Sequence, residues 1–268
     1  MSGRVRWLGP LGLGVRDAAR FHAALEHTAT ALGAPWQWVA VGIVIGTVPF
    51  AASWAVGASL WVLPTSTGLA ALMVLGAGSR RPGAAMSAVG AGLFAHCALA
   101  IALTAHDPAS TAGLLQDGPE YWEKTLRWVQ TGESPEYQLA WWVPAHVQLV
   151  VITVVMSYLS LGITTLYEGM YEIGLMNHYV GNLVRVAHDP VTALFVGWHP
   201  WSVARGLGFL LLTYDLVDLS LSRMVGTALS TPRERAVRWA LGLGFVSLDA
   251  LLKLFLLEPI RRMIAGAL

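Results

Sequence analysis

The sequence predicts an all-α fold, a polytopic transmembrane helical bundle of about six spans within a range of five to seven, preceded by an amphipathic helix. Three observations lead to this prediction. Hydrophobic residues make up 55% of the 268 residues and charged residues only 12%, whereas charged residues alone reach about 25% in soluble domains. Apolar runs follow one another between Trp36 and Leu257, and about 20 apolar residues suffice for a membrane-crossing helix. One acidic extramembrane segment, residues 106–138, interrupts them.

The start of the chain differs from the rest in its amphipathic character. Phe21, Leu25 and Leu32 recur at helical spacing beside Arg16, Arg20, Glu26 and His27, a pattern typical of a helix that lies in the membrane interface. We therefore divide the chain into a cytoplasmic or interfacial segment, residues 1–35, and a transmembrane helical domain, residues 36–268.

The first apolar block, residues 36–78, is too long for a single span. Small residues at positions 56–59 allow a tight hairpin inside it. Arg80 and Arg81 follow the block and mark a cytoplasmic loop, because basic residues accumulate on that side of the membrane. The first three predicted spans cover residues 36–55, 60–78 and 84–105.

The acidic loop, residues 106–138, is predicted to face water on the outer side of the membrane. Only Lys124 and Arg127 oppose its acidic residues, and prolines punctuate it. Within the loop, residues 121–129 carry aromatic side chains and predict a short helix at the membrane interface. The acidic residues are Asp107, Asp117, Glu120, Glu123, Glu133 and Glu136.

The second half of the chain predicts three more spans and a polar helix. The polar helix, residues 167–188, is too polar to face lipid, so we expect it at the interface or buried in protein. The arginines around residues 223–238 and those at 261–262 flank opposite ends of the last span, and their orientation depends on whether residues 167–203 cross the membrane. We favour six spans with both ends inside. The predicted elements are a span over 139–166, the polar helix, a half-span over 190–198, and spans over 204–222 and 236–257.

Four ionisable residues in the last two spans are candidates for ion coupling. Asp215 and Asp218 share one helix face at i and i+3, and Asp249 and Lys253 share another at i and i+4. A charged residue costs at least about 2.5–3.5 kcal/mol at the centre of a membrane helix, so such residues pair with one another or line a polar pathway. A salt bridge between helices, or a Lys253 side chain that reaches the interface, would explain them without ion coupling.

Two histidines offer an alternative function. His96 and His146 lie at similar distances before and after the acidic loop, so adjacent antiparallel helices would carry them at similar depth. Two axial imidazoles are what a b-type haem requires, which would make the protein an electron-transfer subunit. Hydrogen bonding between helices is the structural alternative for both residues. Apart from this haem, the sequence implies no cofactor.

Other functions find no support in the residues. A formal net charge of +1 argues against a nucleic-acid partner, and we find no spacing typical of a catalytic or metal site. We therefore predict an integral membrane protein without its own enzymatic site, either a subunit of a membrane complex or a small transport or ion-coupling component. Its expected partners are the lipid bilayer and other membrane subunits or a second copy. An abundance of Arg, Ala and Gly, which we associate with bacteria, predicts the bacterial inner membrane.

Overall fold

The computed structural model describes residues 18–133 and 139–268, of which 18, 19, 139–143, 145 and 146 are described as backbone only. Within these ranges, helices joined by short connections are the only regular secondary structure, without strands. Three of the helices are long and apolar enough to cross a membrane: α2, α4 and α11. The helices are α1 (Ala18–Ala31), α2 (Pro35–Val56), α3 (Val62–Gly78), α4 (Pro82–His106), α5 (Pro108–Ala112), α6 (Gly118–Thr131), α7 (Leu139–Ser160), α8 (Ile163–Val186), α9 (Pro190–Gly197), α10 (Pro200–Val225) and α11 (Pro232–Ala267).

The first apolar block folds as the predicted hairpin. Helix α2 ends at Gly57, whose φ of 67° is left-handed and therefore suits glycine. The chain then returns as α3 after a short turn. The helix bounds agree with the predicted spans to within two residues, because small residues mark the turn in the sequence itself.

Helices α2 and α4 approach each other closely along a row of small residues. A Cβ atom added at Gly42 would clash with the carbonyl of Ala88, and one added at Gly46 would clash with the backbone of Gly92. Small residues let membrane helices pack backbone against backbone, where van der Waals contact is the main attraction. Glycine is therefore required at Gly42 and Gly46 for α2 and α4 to pack in this way.

Helices α10 and α11 form a second hairpin. Helix α10 ends at Gly226, which has a φ of 75°. Helix α11 begins after Thr231, whose hydroxyl accepts a hydrogen bond from the Glu234 N–H while the Glu234 carboxylate accepts one from the Thr231 N–H. Further along the hairpin, Gly208 packs against Gly242. The two helices thus run antiparallel in close contact.

The predicted polar helix, α8, lies inside the protein over much of its length. It packs against α3, α4, α6, α7 and α9, and residues 174–183 are all buried. Helix α7 ends at Ser160, before Gly162 with its φ of 83°, so the predicted span over 139–166 is six residues too long. The left-handed turn ends the helix although the apolar pattern continues beyond it.

The packed helices have two recognisable ends. At one end, Arg81 Nη1 donates to the carbonyl of Ala29 in α1. At the same end, the positive charge of Arg80 lies close enough to Glu234 to attract its carboxylate. At the other end, Arg261 Nη1 donates to the carbonyl of Val129 in α6, 2.9 Å away. The end of α11 is therefore on the side of the acidic loop, and its beginning is on the side of the Arg80–Arg81 turn.

Candidate functional site

Asp215 is buried in the α10–α11 contact and fully hydrogen-bonded. Arg238 Nε donates to its Oδ1 over 2.8 Å, and Trp239 Nε1 donates to its Oδ2 over 2.8 Å. The Arg238 guanidinium also lies 5.5 Å from the centre of the Tyr214 ring, within the range of a cation–π contact. Both carboxylate oxygens of this predicted ion-coupling residue are thus used in joining the two helices.

Asp218 is held in the same way one turn further along α10. Arg235 Nη2 donates to its Oδ1 over 2.7 Å, and the Ser230 hydroxyl donates to its Oδ2 over 2.6 Å. Arg238 Nη2 is 3.9 Å from Asp218 Oδ2, which links the two ion pairs. Two acidic and two basic side chains therefore form one network at the turn of the hairpin.

Sequence reasoning treated these arginines only as markers of orientation and missed them as partners of the aspartates. The signal was present in the spacing, because Asp215 and Asp218 are three positions apart, as are Arg235 and Arg238. In an antiparallel hairpin, two such pairs meet in register when the turn lies midway between them.

Asp249 and Lys253 form a separate pair in the apolar part of α11. Lys253 Nζ lies 3.8 Å from Asp249 Oδ1, and the side chains are only 7% and 0% exposed, respectively. The Lys253 side chain is therefore buried. Since residues 239–257 are the apolar part of α11, Asp249 lies about 15 Å along the helix from Trp239, near the middle of this part.

The structure thus divides the four predicted ion-coupling residues into two groups. Asp215 lies opposite Trp239, and Gly208 lies opposite Val246. Extending this antiparallel register by one turn places Arg205 of α10 level with Asp249. Arg205 is a charged residue at this level of the hairpin that the sequence prediction did not include.

His96, one of the two histidines of the haem alternative, is fully enclosed. Its ring stacks on Trp61 with 4.8 Å between centroids, and Phe50 contacts it edge-on. Its Nδ1 lies 3.1 Å from the carbonyl of Gly46. Helix α7, which carries His146, packs against α8 and α10, and the His146 side chain lies outside the described residues. The haem site therefore stays a prediction.

Two further findings concern metal binding and similarity to known proteins. Among residues 20–133 and 147–268, no group of three or more His, Cys, Asp or Glu side chains is arranged to hold a metal ion. No family model, curated protein or solved structure matches this chain. The geometry of its own residues is therefore the basis for assigning a function.

Proposed function

We propose that this chain is a multi-pass protein of the bacterial inner (cytoplasmic) membrane, without an enzymatic site of its own, which acts as a small ion-coupling or transport component. One observation carries the proposal: the buried Asp249–Lys253 pair in the apolar part of α11. Ionisable residues at such depth are costly, and they commonly mark ion or proton pathways.

A packing role accounts for Asp215 and Asp218 but is less suited to Asp249 and Lys253. The α10–α11 hairpin is already joined by the Asp215–Arg238 and Asp218–Arg235 ion pairs. Asp249 and Lys253 belong to the same helix, and their ion pair lies deeper in the apolar part of α11 than the two pairs near the hairpin turn. We therefore assign Asp249 and Lys253 to ion coupling, and we assign Asp215 and Asp218 to holding the hairpin in shape.

The geometry also supports a multi-pass arrangement of seven crossings, at the upper limit of the predicted range. Helices α2, α3, α4, α7, α8, α10 and α11 would cross in turn, with residues 174–183 of α8 shielded from lipid by its neighbours. The Arg80–Arg81 turn would face the cytoplasm, in accordance with the positive-inside rule. The acidic helix α6 and the end of α11 would then lie outside.

Association with other membrane subunits or with a second copy belongs to the same proposal. Glu168 is exposed on α8, shortly after the turn at which Gly162 contacts Thr213 and Val217 of α10. A carboxylate on an outward face of a membrane helix is unfavourable unless water or a polar group covers it. This favours a protein partner at this face of α8, in addition to the lipid bilayer.

Ion flux in proteoliposomes tests the proposed coupling. Protein would be reconstituted with a pH-sensitive dye inside, and proton, sodium and potassium gradients would be applied in turn. We expect flux from the native protein and its loss in Asp249→Asn, with flux compared per amount of folded protein because the variant leaves Lys253 buried without its carboxylate. Glu120→Gln, a neutralised carboxylate on the exposed surface of α6, is the matched control and should retain flux. Full flux in Asp249→Asn, or none from the native protein, would contradict the proposal.

A further inference from the structure

Several buried polar atoms lie along the contact between α4 and α8 without a hydrogen-bond partner in the described part of the chain. They are Trp61 Nε1, His96 Nε2, Thr104 Oγ1 and both polar atoms of the Asn177 amide, which is within reach only of a weak hydrogen-bonding group, the Cys97 thiol. All four residues are at most 1% exposed. Buried polar atoms are nearly always hydrogen-bonded, so such a group of exceptions requires an explanation.

These residues form a row along one face of α8. Gly174 packs against the Trp61 indole, which in turn stacks on His96. Gly181, two turns further along α8, packs against Thr104 of α4. Asn177 lies between the two glycines on the same face, since positions 174, 177 and 181 follow the i, i+3, i+7 spacing of a helix. We call this row the α4–α8 polar row.

The protonation of His96 can be assigned from its hydrogen bond. The Gly46 carbonyl can only accept, so the Nδ1 atom 3.1 Å away must be the donor in that bond. In the neutral ring, Nε2 then carries a lone pair and needs a donor. The row therefore combines an acceptor at His96, a donor at Trp61, and groups at Asn177 and Thr104 that can both donate and accept.

This set of groups fits water better than an ion. No charged side chain belongs to the row, so neither a cation nor an anion would be neutralised there. Space is also narrow, because a Cβ added at Gly181 would lie 2.5 Å from Thr104 Cβ. Buried water molecules typically make about three hydrogen bonds to polar groups that are otherwise unsatisfied, and a larger ligand would not fit where α4 and α8 pack this closely.

We propose that the α4–α8 polar row binds a file of water molecules that connects the acidic-loop surface with the Nε2 atom of His96. Thr104 marks the outer end of the file, two residues before α4 ends at His106. His96 marks its inner end. The water file would allow His96 to exchange protons with the outer solution. This site is separate from Asp249 and Lys253, and it does not depend on ion coupling by that pair.

The single cysteine of the chain provides a probe at this site. Cys97 follows His96, and its thiol is close enough to the Asn177 amide to interact with it. The full-length protein in lipid nanodiscs would be transferred to D₂O, and infrared spectroscopy would follow the loss of the S–H stretching band. We expect rapid exchange of the Cys97 thiol, because water in the row reaches it.

Two comparisons separate water in the row from other routes of exchange. In Cys97→Ala/Ala70→Cys, the only thiol lies in the apolar core of α3, and we expect exchange to be slower by at least about tenfold because it requires local opening. Asn177→Leu should slow exchange of Cys97 similarly, by excluding the file. Thr104→Val serves the same purpose should Asn177→Leu fail to fold. Exchange of Cys97 as slow as that of the core thiol, or exchange unaffected by both substitutions, would overturn the proposal.

Discussion

At the scale of single residues, the ion pairs of the α10–α11 hairpin illustrate how a helical hairpin uses buried charge for packing. Asp215 is 1% exposed and Arg238 only 13%. An ion pair taken out of water gains little net stability over apolar residues of the same size, but loss of one partner leaves an isolated buried charge. Each charged side chain is therefore tolerated in the contact only while its partner is present.

A double-substitution experiment tests this role. Asp215→Leu should lower the free energy of unfolding by about 3 kcal/mol, because Arg238 is left buried without its carboxylate. Arg238→Met should cost about as much. The combination of both should recover most of the loss, because neither charge remains. Unfolding in mixed detergent, followed by circular dichroism, measures all three variants. A double variant as unstable as the sum of the single ones would contradict the assigned role.

At the scale of helices, the contact between α2 and α4 depends on residues without side chains. Gly46 and Gly92 lie against each other, so that each leaves room for the backbone of the other helix. Helix α4 has a second kind of glycine: Gly90 has open space where a Cβ would be. Gly90 and Gly92 are only two positions apart in α4. A side chain at Gly92 would clash with α2, whereas a side chain at Gly90 would meet no neighbour.

This difference gives a matched pair of substitutions. Gly92→Val should force α2 and α4 apart and destabilise the protein by about 3 kcal/mol or more, at the upper end of what overpacking costs. Gly90→Val should change stability little, since valine is tolerated in membrane helices and its side chain meets no neighbour. Melting temperatures of the two variants in the same detergent measure the effect. Equal melting temperatures would show that the close approach is not required.

The helices themselves were largely predictable from the sequence, but their partners were less so. The turns at Gly57 and Gly226 could be located because apolar runs stop at small or polar residues. The enclosure of His96 could not be predicted, because it depends on how Trp61 of the α2–α3 turn folds over α4. Similarly, no periodicity predicts that α7 packs against α10 and α8. Such long-range choices depend on the fit of side chains rather than on local pattern.

At the scale of the whole molecule, helix α1 and the end of α11 lie at opposite ends of the packed helices. Helix α1 packs against α3 and α10 at the end of the Arg80–Arg81 turn. The end of α11 lies with residues 188 and 189 at the other end, where the His188 N–H donates to the carbonyl of Ala267 over 2.9 Å. An odd number of crossings follows from this arrangement if a membrane surrounds the bundle.

Cysteine labelling in intact cells tests this topology. In a Cys97→Ala background, Thr131→Cys in α6 and Leu268→Cys at the end of α11 should both react with a membrane-impermeant maleimide from outside. Thr227→Cys in the α10–α11 turn should react only after the cells are opened. All three positions are exposed, so reactivity reports the side of the membrane rather than burial. Labelling of Thr131→Cys and Leu268→Cys from opposite sides would contradict the proposed seven crossings.

The length of α11 has a mechanical consequence. Its 36 residues extend over about 54 Å, well beyond a hydrocarbon layer of about 30 Å. One continuous helix therefore joins the Arg235 and Arg238 ion pairs at one end to the Arg261 contact with α6 at the other. A tilt of α11 that follows a change at Asp249 would move both ends at once. A change at Asp249 in the middle of the bilayer would thus move groups on both faces of the membrane without a hinge or a separate signalling domain.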